Sequence, residues 1–348
     1  KDVVVAENVP DRIVLIEEKT GTWCGWCPRG AVGMAHMWEN FQGSVAPVAV
    51  HNGDPMVDAT YDASIGTVAP GGYPGGVVDR IMPLDPNADD LEAAHTERMA
   101  VAPMVDVKVP EVTITGNSMS VTVKAEFIGE FSGSYRINAI VTENNVTGTD
   151  AGYAQVNYYS GYQPLSGAGH NWFTAPDPVP ASDMEYDHVG RELLGDFLGS
   201  AGVIPGTTTA GMEYSKTYNY NIPSEENSDN YVIIAVVTDN NTSEVLNANY
   251  WTPYLGIDND GKTKFNAEIY PNPFTDVMYL NLGLKEATEV QIKMIDVLGK
   301  VVYSSTPSVY QAGNNVIELN GNDLKSGVYY VSINAEGTTL TKKVLLDK

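Results

Sequence analysis

Trp23-Cys24-Gly25-Trp26-Cys27-Pro28 holds both of the cysteines in a chain of 348 residues. The stretch before it, Arg12 to Glu18 (RIVLIEE), is short, β-branched and apolar, the composition of a buried strand. After it, Ala31, Met34, Ala35, Trp38 and Phe41 recur at helical spacing, which predicts a helix from Cys27 to Phe41. The pair therefore falls on a strand-to-helix turn, with Cys24 expected at or just before the helix start. Unpaired N–H groups at a helix N-terminus stabilise a thiolate, so Cys24 is expected to ionise more readily than a free thiol. Cys27, a turn further on, would be the resolving partner that closes a small disulfide ring. Two other readings stay open at this point: a purely structural local disulfide, and half of a zinc site. Zinc needs four N or S ligands, and His36 and His51 follow at spacings unlike the common finger patterns.

Working outward, Val45 to Val50 (VAPVAV) reads as a second buried strand, and Val57 to Val68 as a weak helix. The Gly/Pro-dense run Ala69 to Gly76 precedes a short strand at Val77-Val78-Asp79-Arg80, and Asp89 to Val101 reads as a closing helix. Strands alternating with helices predict a sheet flanked by helices. A Trp directly before a CxxC at a helix start, with a Pro opening a later strand, resembles the thioredoxin fold. The resemblance implies an α/β thioredoxin-like domain over residues 1–103. It implies further that Pro74 follows a cis bond and lies against the disulfide, presenting the backbone of Tyr73 to an extended substrate. Trp23, Gly25 and Trp26 would line the redox site. Glu18, six residues before Cys24, stands where such proteins keep a buried acid; desolvation would raise its pKa and let it take the proton of Cys27. A solvated strand-end glutamate, with Glu17 alternating to the other face, is the competing reading. The chain departs from thioredoxin itself in having Trp before the second cysteine and Pro28 after it, which leaves the direction of electron flow open.

From Met104 the pattern becomes strands: Val105–Ile114, Met119–Ile128 and Ser134–Thr142, then Glu213–Ile222, Tyr231–Asp239 and Val245–Tyr254. This predicts an Ig-like antiparallel β-sandwich over 104–255, interrupted by a long insertion at 149–212. A structureless loop of that length is improbable, so the insertion is expected to be ordered or functional. Within it Val189–Leu198 looks helical. Asp183, Glu185, Asp187 and His188 match no EF-hand spacing and read as an acidic solvated face, so no metal is assigned. The CxxC part followed by a sandwich with Tyr186-Asp187-His188-Val189-Gly190-Arg191-Glu192-Leu193-Leu194-Gly195 resembles the family of bacterial surface proteins named for a 28-kDa outer-membrane protein.

Residues 256–264 form a polar linker, and 265–348 read as a small all-β sandwich with strands at Ala267–Tyr270, Asp276–Leu282, Thr288–Val297, Lys300–Ser304, Asn315–Leu319, Val328–Ala335 and Thr338–Leu346. Turns are expected at Gly283, Leu298-Gly299-Lys300 and Glu336-Gly337. Tyr270-Pro271-Asn272-Pro273-Phe274, Asp296-Val297-Leu298-Gly299-Lys300-Val301, Leu324-Lys325-Ser326-Gly327-Val328-Tyr329 and Lys342-Lys343-Val344-Leu345 together resemble the C-terminal sorting domain of the type IX (Por) secretion system. That resemblance implies that 265–348 engage the secretion machinery and direct passage to the cell surface, by way of a signal peptide that this sequence does not include.

The formal net charge of −24 argues against nucleic acid and anionic membrane surfaces as partners. It is uneven: residues 1–101 carry 6 basic and 15 acidic side chains, 102–256 carry 5 and 18, and 257–348 carry 9 and 11, consistent with a distinct last module. No apolar run reaches the ~18 residues that a spanning helix needs. The sequence thus leads to an exported, cell-surface protein whose CxxC exchanges with protein thiols and disulfides, without a cofactor. If it is an enzyme, it is a thiol–disulfide oxidoreductase or isomerase. The alternative is a non-enzymatic surface adhesin with a structural disulfide. A hydrolase has little support, because Gly199-Ser200-Ala201-Gly202 lacks the strand-to-helix context of a nucleophile elbow.

Overall fold

A computed structural model describes residues 10–253, 265–284, 287–296, 299–335 and 338–348. The expected linker at 256–264, Leu298 of one expected turn and the whole of the Glu336-Gly337 turn lie outside the described residues. The chain forms two compact units, Lys1–Thr252 and Pro253–Lys348.

The first unit begins with β1 (Val14–Thr20), α1 (Pro28–Asn40), β2 (Val45–His51), α2 (Ala59–Ile65), β3 (Gly75–Val78), β4 (Met82–Leu84) and α3 (Ala88–Met99). It continues with β5 (Val105–Val107), β6 (Glu111–Thr115), β7 (Ser118–Phe127), β8 (Tyr135–Glu143), a minimal ladder of β9 (Ser166–Gly167) and β10 (His170–Asn171), β11 (Val189–Leu193), β12 (Glu213–Asn221), β13 (Tyr231–Asp239) and β14 (Val245–Trp251). β1 is buried along its whole length, running parallel to β2 and antiparallel to β3, which pairs with β4. Successive side chains of a strand point to opposite faces. Val14 and Ile16 accordingly pack with Met34 and Met37 of α1 and with Leu91 and Ala94 of α3. Leu15 points the other way, into a core that includes Tyr61 and Ile65 of α2. Burying each such side chain stabilises the fold by about 1.5–3 kcal/mol. Local signals set the helix starts. Pro28 opens α1 where no N–H is needed. The Asp58 carboxylate accepts the Tyr61 N–H at 2.5 Å to cap α2, and the Asn87 side chain accepts the Asp90 N–H at 3.0 Å to cap α3.

The sheet does not end at β2. Its order is β14-β13-β8-β11-β2-β1-β3-β4, so β11 joins the first hundred residues to the strands that follow. β11 runs parallel to β2, with Val189 opposite Ala49, and antiparallel to β8. The helix expected at Val189–Leu198 is instead this strand: Val189, Gly190 and Leu193 are buried between two neighbours, and that packing overrides the helical spacing of the apolar residues. β13 is buried on both faces. Tyr231, Ile233, Ala235 and Val237 face a core shared with β5, β7 and β12. Val232, Ile234 and Val236 face the core that holds Leu15, Val48 and Tyr61. β5, β6, β7 and β12 form a second sheet across the first of these cores, which is a β-sandwich. Residues expected as two domains, 1–103 and 104–255, thus share one sheet and one core.

Two buried ionic clusters brace the connection. Arg80, at φ 63° between β3 and β4, donates to both oxygens of Glu17 at 2.8–3.1 Å, and the Tyr61 hydroxyl donates to the same carboxylate at 2.5 Å. Arg80 also lies 3.9 Å from the Phe197 ring centroid. Asp79, at φ 45°, accepts from Arg12 and Arg98 at 2.6 Å each. Glu17 is therefore not a solvated strand-end residue, and neither is its neighbour Glu18, which is 1% exposed.

The second unit is all β: β15 (Phe265–Tyr270), β16 (Val277–Leu284), β17 (Thr288–Asp296), β18 (Val301–Ser304), β19 (Ser308–Tyr310), β20 (Gly313–Asn320), β21 (Gly327–Ala335) and β22 (Thr338–Leu346). β15-β16-β20 make one sheet and β18-β17-β21-β22, with β19 on β17, the other; Leu280, Leu282, Ile292, Val331 and Ile333 meet between them.

Candidate functional site

Cys24 and Cys27 are joined by a disulfide with their Cα atoms 5.4 Å apart. The turn that carries them is held by its own backbone: the Cys24 N–H donates to Gly21 O at 3.0 Å and the Cys27 N–H to Cys24 O at 3.1 Å. Cys27 is the N-cap of α1, and its carbonyl accepts from the Gly30 N–H at 2.9 Å. The helix starts within one residue of the expected Cys27, and Cys24 stands three positions ahead of its N-cap. Neither cysteine is open to solvent, at 5% and 1% exposure.

The cover comes from the insertion, over 120 residues away in sequence. The Val156 N–H donates to Thr22 O at 2.8 Å and the Tyr158 N–H to Gly25 O at 2.9 Å. The Gln155 side-chain amide donates to Cys24 O at 3.0 Å, and the Thr22 hydroxyl to Gly152 O at 2.8 Å. Gly25 is required here, because a Cβ on it would stand 2.4 Å from the Tyr158 ring. Trp26 meets Tyr158, Tyr159 and Tyr162 edge-on, with centroids 5.3–6.0 Å apart. Behind this strap, Tyr159, Trp172, Val179, Met184 and Tyr186 form a satellite core with Met56 and Val189. The insertion is therefore ordered, as its length required.

On the other flank, the Trp23 indole N–H donates to Asn52 O at 2.7 Å and its ring meets Tyr73 edge-on at 5.2 Å. The Tyr73–Pro74 bond is cis. Lys19 sits 5.0 Å over the Tyr73 ring and donates to Gly71 O at 2.9 Å. Burial, above all, together with the neighbouring Asp62 carboxylate, raises the Tyr73 phenol above its ordinary pKa.

Glu18 lies beneath α1. A Cβ on Gly30 would fall 1.9 Å from its Oε1, so only glycine lets the helix pass this close. Burial pushes its pKa up to about 8, against smaller opposing contributions from a Thr20 hydrogen bond and Arg29. Among the described residues Oε1 has no hydrogen-bond partner. His51, weighed from the sequence only as a zinc ligand, and Asp54, which sequence reasoning missed, stand beside the turn. His51 Nδ1 is 2.7 Å from Asp54 Oδ2, which also accepts the Thr22 N–H at 3.0 Å. Burial works to raise the Asp54 carboxyl, but the bonds from His51, Thr22 and Met56 hold it below its ordinary range. The adjacency of His51 to a loop carrying Asp54 three residues on was the signal available. Asp187 accepts the Asn145 N–H, and His188 is buried with its pKa lowered by desolvation. Among the described residues no three His, Cys, Asp or Glu side chains are grouped as metal ligands.

The profile of the family described as Outer membrane protein Omp28 matches residues 60–251, more than half of the chain. The chain belongs to the Omp28 family. A second profile, the secretion system C-terminal sorting domain, matches residues 268–347 of this Omp28-family chain. Together they make it an exported protein of the outer membrane or cell surface whose last unit engages the type IX secretion machinery. Among the described residues no helix is long and apolar enough to cross a membrane. The solved structure of HBP35 of Porphyromonas gingivalis is similar over 98% of this chain and 100% of its own, at 15% identity and a TM-score of 0.53, a likeness of fold. A protein of Agrobacterium tumefaciens aligns over 71% of this chain and 96% of its own at 11% identity and a TM-score of 0.40. No curated protein matches.

Proposed function

We propose that this surface protein exchanges thiols and disulfides in partner proteins through Cys24 and Cys27. The observation that carries the reading is the Glu18 carboxyl, buried under the first turn of the helix that Cys27 caps, with Oε1 unpartnered among the described residues and a pKa of about 8. A desolvated acid is costly to keep, and this value is near that of a thiol, so proton transfer between the two is close to balanced. A staple has less to recommend it. A ring closing only two intervening residues restricts the unfolded chain little, so the disulfide adds little stability. The strand order β2-β1-β3-β4, with α1 and α3 on one face and α2 on the other, supports a thioredoxin-like reading of the first hundred residues.

In the reduced state the Cys24 thiolate attacks a partner disulfide; one partner sulfur leaves as thiolate and a mixed disulfide forms. The ionised form of Glu18, which becomes substantial as pH approaches its pKa of about 8, takes the proton of Cys27, and the Cys27 thiolate attacks the Cys24 sulfur, releasing the second partner sulfur. The partner disulfide becomes two thiols and the pair becomes the disulfide described above; a partner dithiol drives the reverse sequence. Tyr73 and Pro74 position the partner strand beside Cys24, with Trp23, Gly25 and Trp26 around it. The test is reduction of insulin by the dithiothreitol-driven protein: turnover is expected, and Cys24→Ser abolishes it. No turnover, together with a Cys24 thiol pKa at the free value, would overturn the proposal.

The closed strap and the exposed rings of Trp23, Trp26, Tyr158 and Tyr162 favour a second reading, a surface adhesin with a retained disulfide. It requires that Cys24→Ser/Cys27→Ser leave attachment unchanged.

A further inference from the structure

The strap has two sides with different attachments. The Val156 and Tyr158 N–H groups point to the carbonyls of Thr22 and Gly25, while the Asn157 N–H between them points away, to Asp177 Oδ1 at 2.9 Å. Alternate donors aimed in opposite directions are what an extended segment presents, here to the carbonyls of the turn that carries the cysteines. The Asn157 side chain is tied backward as well, to the Trp172 carbonyl at 2.8 Å. The forward side rests on a few hydrogen bonds and on the outer rings of Tyr158 and Tyr162, the latter 71% exposed. These contacts hold the strap against the turn that carries the disulfide, whose cysteines are only 5% and 1% exposed.

We propose that residues 155–158 are a built-in pseudosubstrate: they occupy the ground on which an extended polypeptide docks, and exchange at Cys24 begins only when they lift. The inference rests on the exchange reading above. It also names the partner class, a cysteine-containing segment in extended form that offers N–H groups at i and i+2 to Thr22 O and Gly25 O. The segment would also carry an aromatic or large apolar side chain to replace Tyr158 over Gly25. Main-chain pairing supplies the affinity in such an arrangement and the side-chain position supplies the selectivity.

The full-length oxidised protein is reacted with dithiothreitol, and free thiols are followed by alkylation. Gln155→Ala/Tyr158→Ala removes the amide bond to Cys24 O and the ring over Gly25. It is expected to speed reduction by about ten-fold or more. A rate equal to that of the natural chain overturns the gate. Should the double variant melt below the assay temperature, Gln155→Ala alone is measured against the same criterion. Amide exchange in the unaltered protein is a second check. Val156 and Tyr158 must exchange through a local opening, faster than β1; exchange only together with β1 overturns the proposal. The two levels separate cleanly. Faster reduction of the variant by dithiothreitol without insulin turnover leaves the gate standing and removes the exchange function. Unchanged reduction with insulin turnover does the reverse.

Discussion

Replacing Glu18 by Gln tests the electrostatics of the site directly. The folded carboxyl holds its proton up to about pH 8, whereas its ordinary value is 4.5. Below the lower value both folded and unfolded states carry the proton, and its contribution to stability is fully present. Between the two the unfolded chain releases the proton and the folded one keeps it, so stability falls as pH rises. Above the upper value both are ionised and the loss is complete. At about 1.36 kcal/mol per pH unit, the whole interval amounts to about 5 kcal/mol. That is a large share of the ~5–15 kcal/mol that holds a typical domain together. Glu18→Gln cannot ionise, so it should match the natural protein near pH 5 and exceed it by a few kcal/mol near pH 9. Urea denaturation of both oxidised proteins at each pH, compared at equal m-value, measures the difference. His95, His170 and His188, lowered by desolvation, act in the opposite direction below about pH 6.5, but they are common to both proteins and cancel. Stability profiles that run parallel from pH 5 to 9 would refute the reasoning, because they would mean that the carboxyl is hydrated or paired.

Arg80→Met leaves the Glu17 carboxylate buried with only the Tyr61 hydroxyl as donor, and should cost about 3–5 kcal/mol in thermal or chemical unfolding. A loss below about 1 kcal/mol would show the pair to be solvated. A chain ending before residue 265 should fail to reach the surface of its native host, by protease accessibility on whole cells, and remain within the envelope.

Much of the first hundred residues was legible because its signals are local. The apolar run at β1 and the helical spacing after Cys27 each act within a few positions. β4 was missed for an equally local reason: Met82-Pro83-Leu84 is three residues long and carries a proline, which weakens a strand reading, and it lies at the edge of the sheet. The sorting unit was legible strand by strand, apart from the short β19 and from Gly283, expected as a turn but paired on both sides inside β16. What could not be read were the long-range pairings. Arg80 finds Glu17 across 63 positions, and Gln155 finds Cys24 across 131. The helix expected at Val189–Leu198 failed because burial between β2 and β8 decided its conformation. The continuous apolar run of β13 (YVIIAVVTD) did carry a message: a strand without polar alternation is covered on both sides.

That doubly covered strand bears on how such a chain can be inherited and handled. Val232, Ile234 and Val236 close the underside of the α/β half, and Val189 supplies the neighbour of β2. A cut after residue 103 would therefore strip a greasy surface and an unpaired sheet edge at once, the combination that drives chains to stick to one another. The Cys24–Cys27 turn and the sandwich fold as one piece, not as two modules joined at a convenient seam.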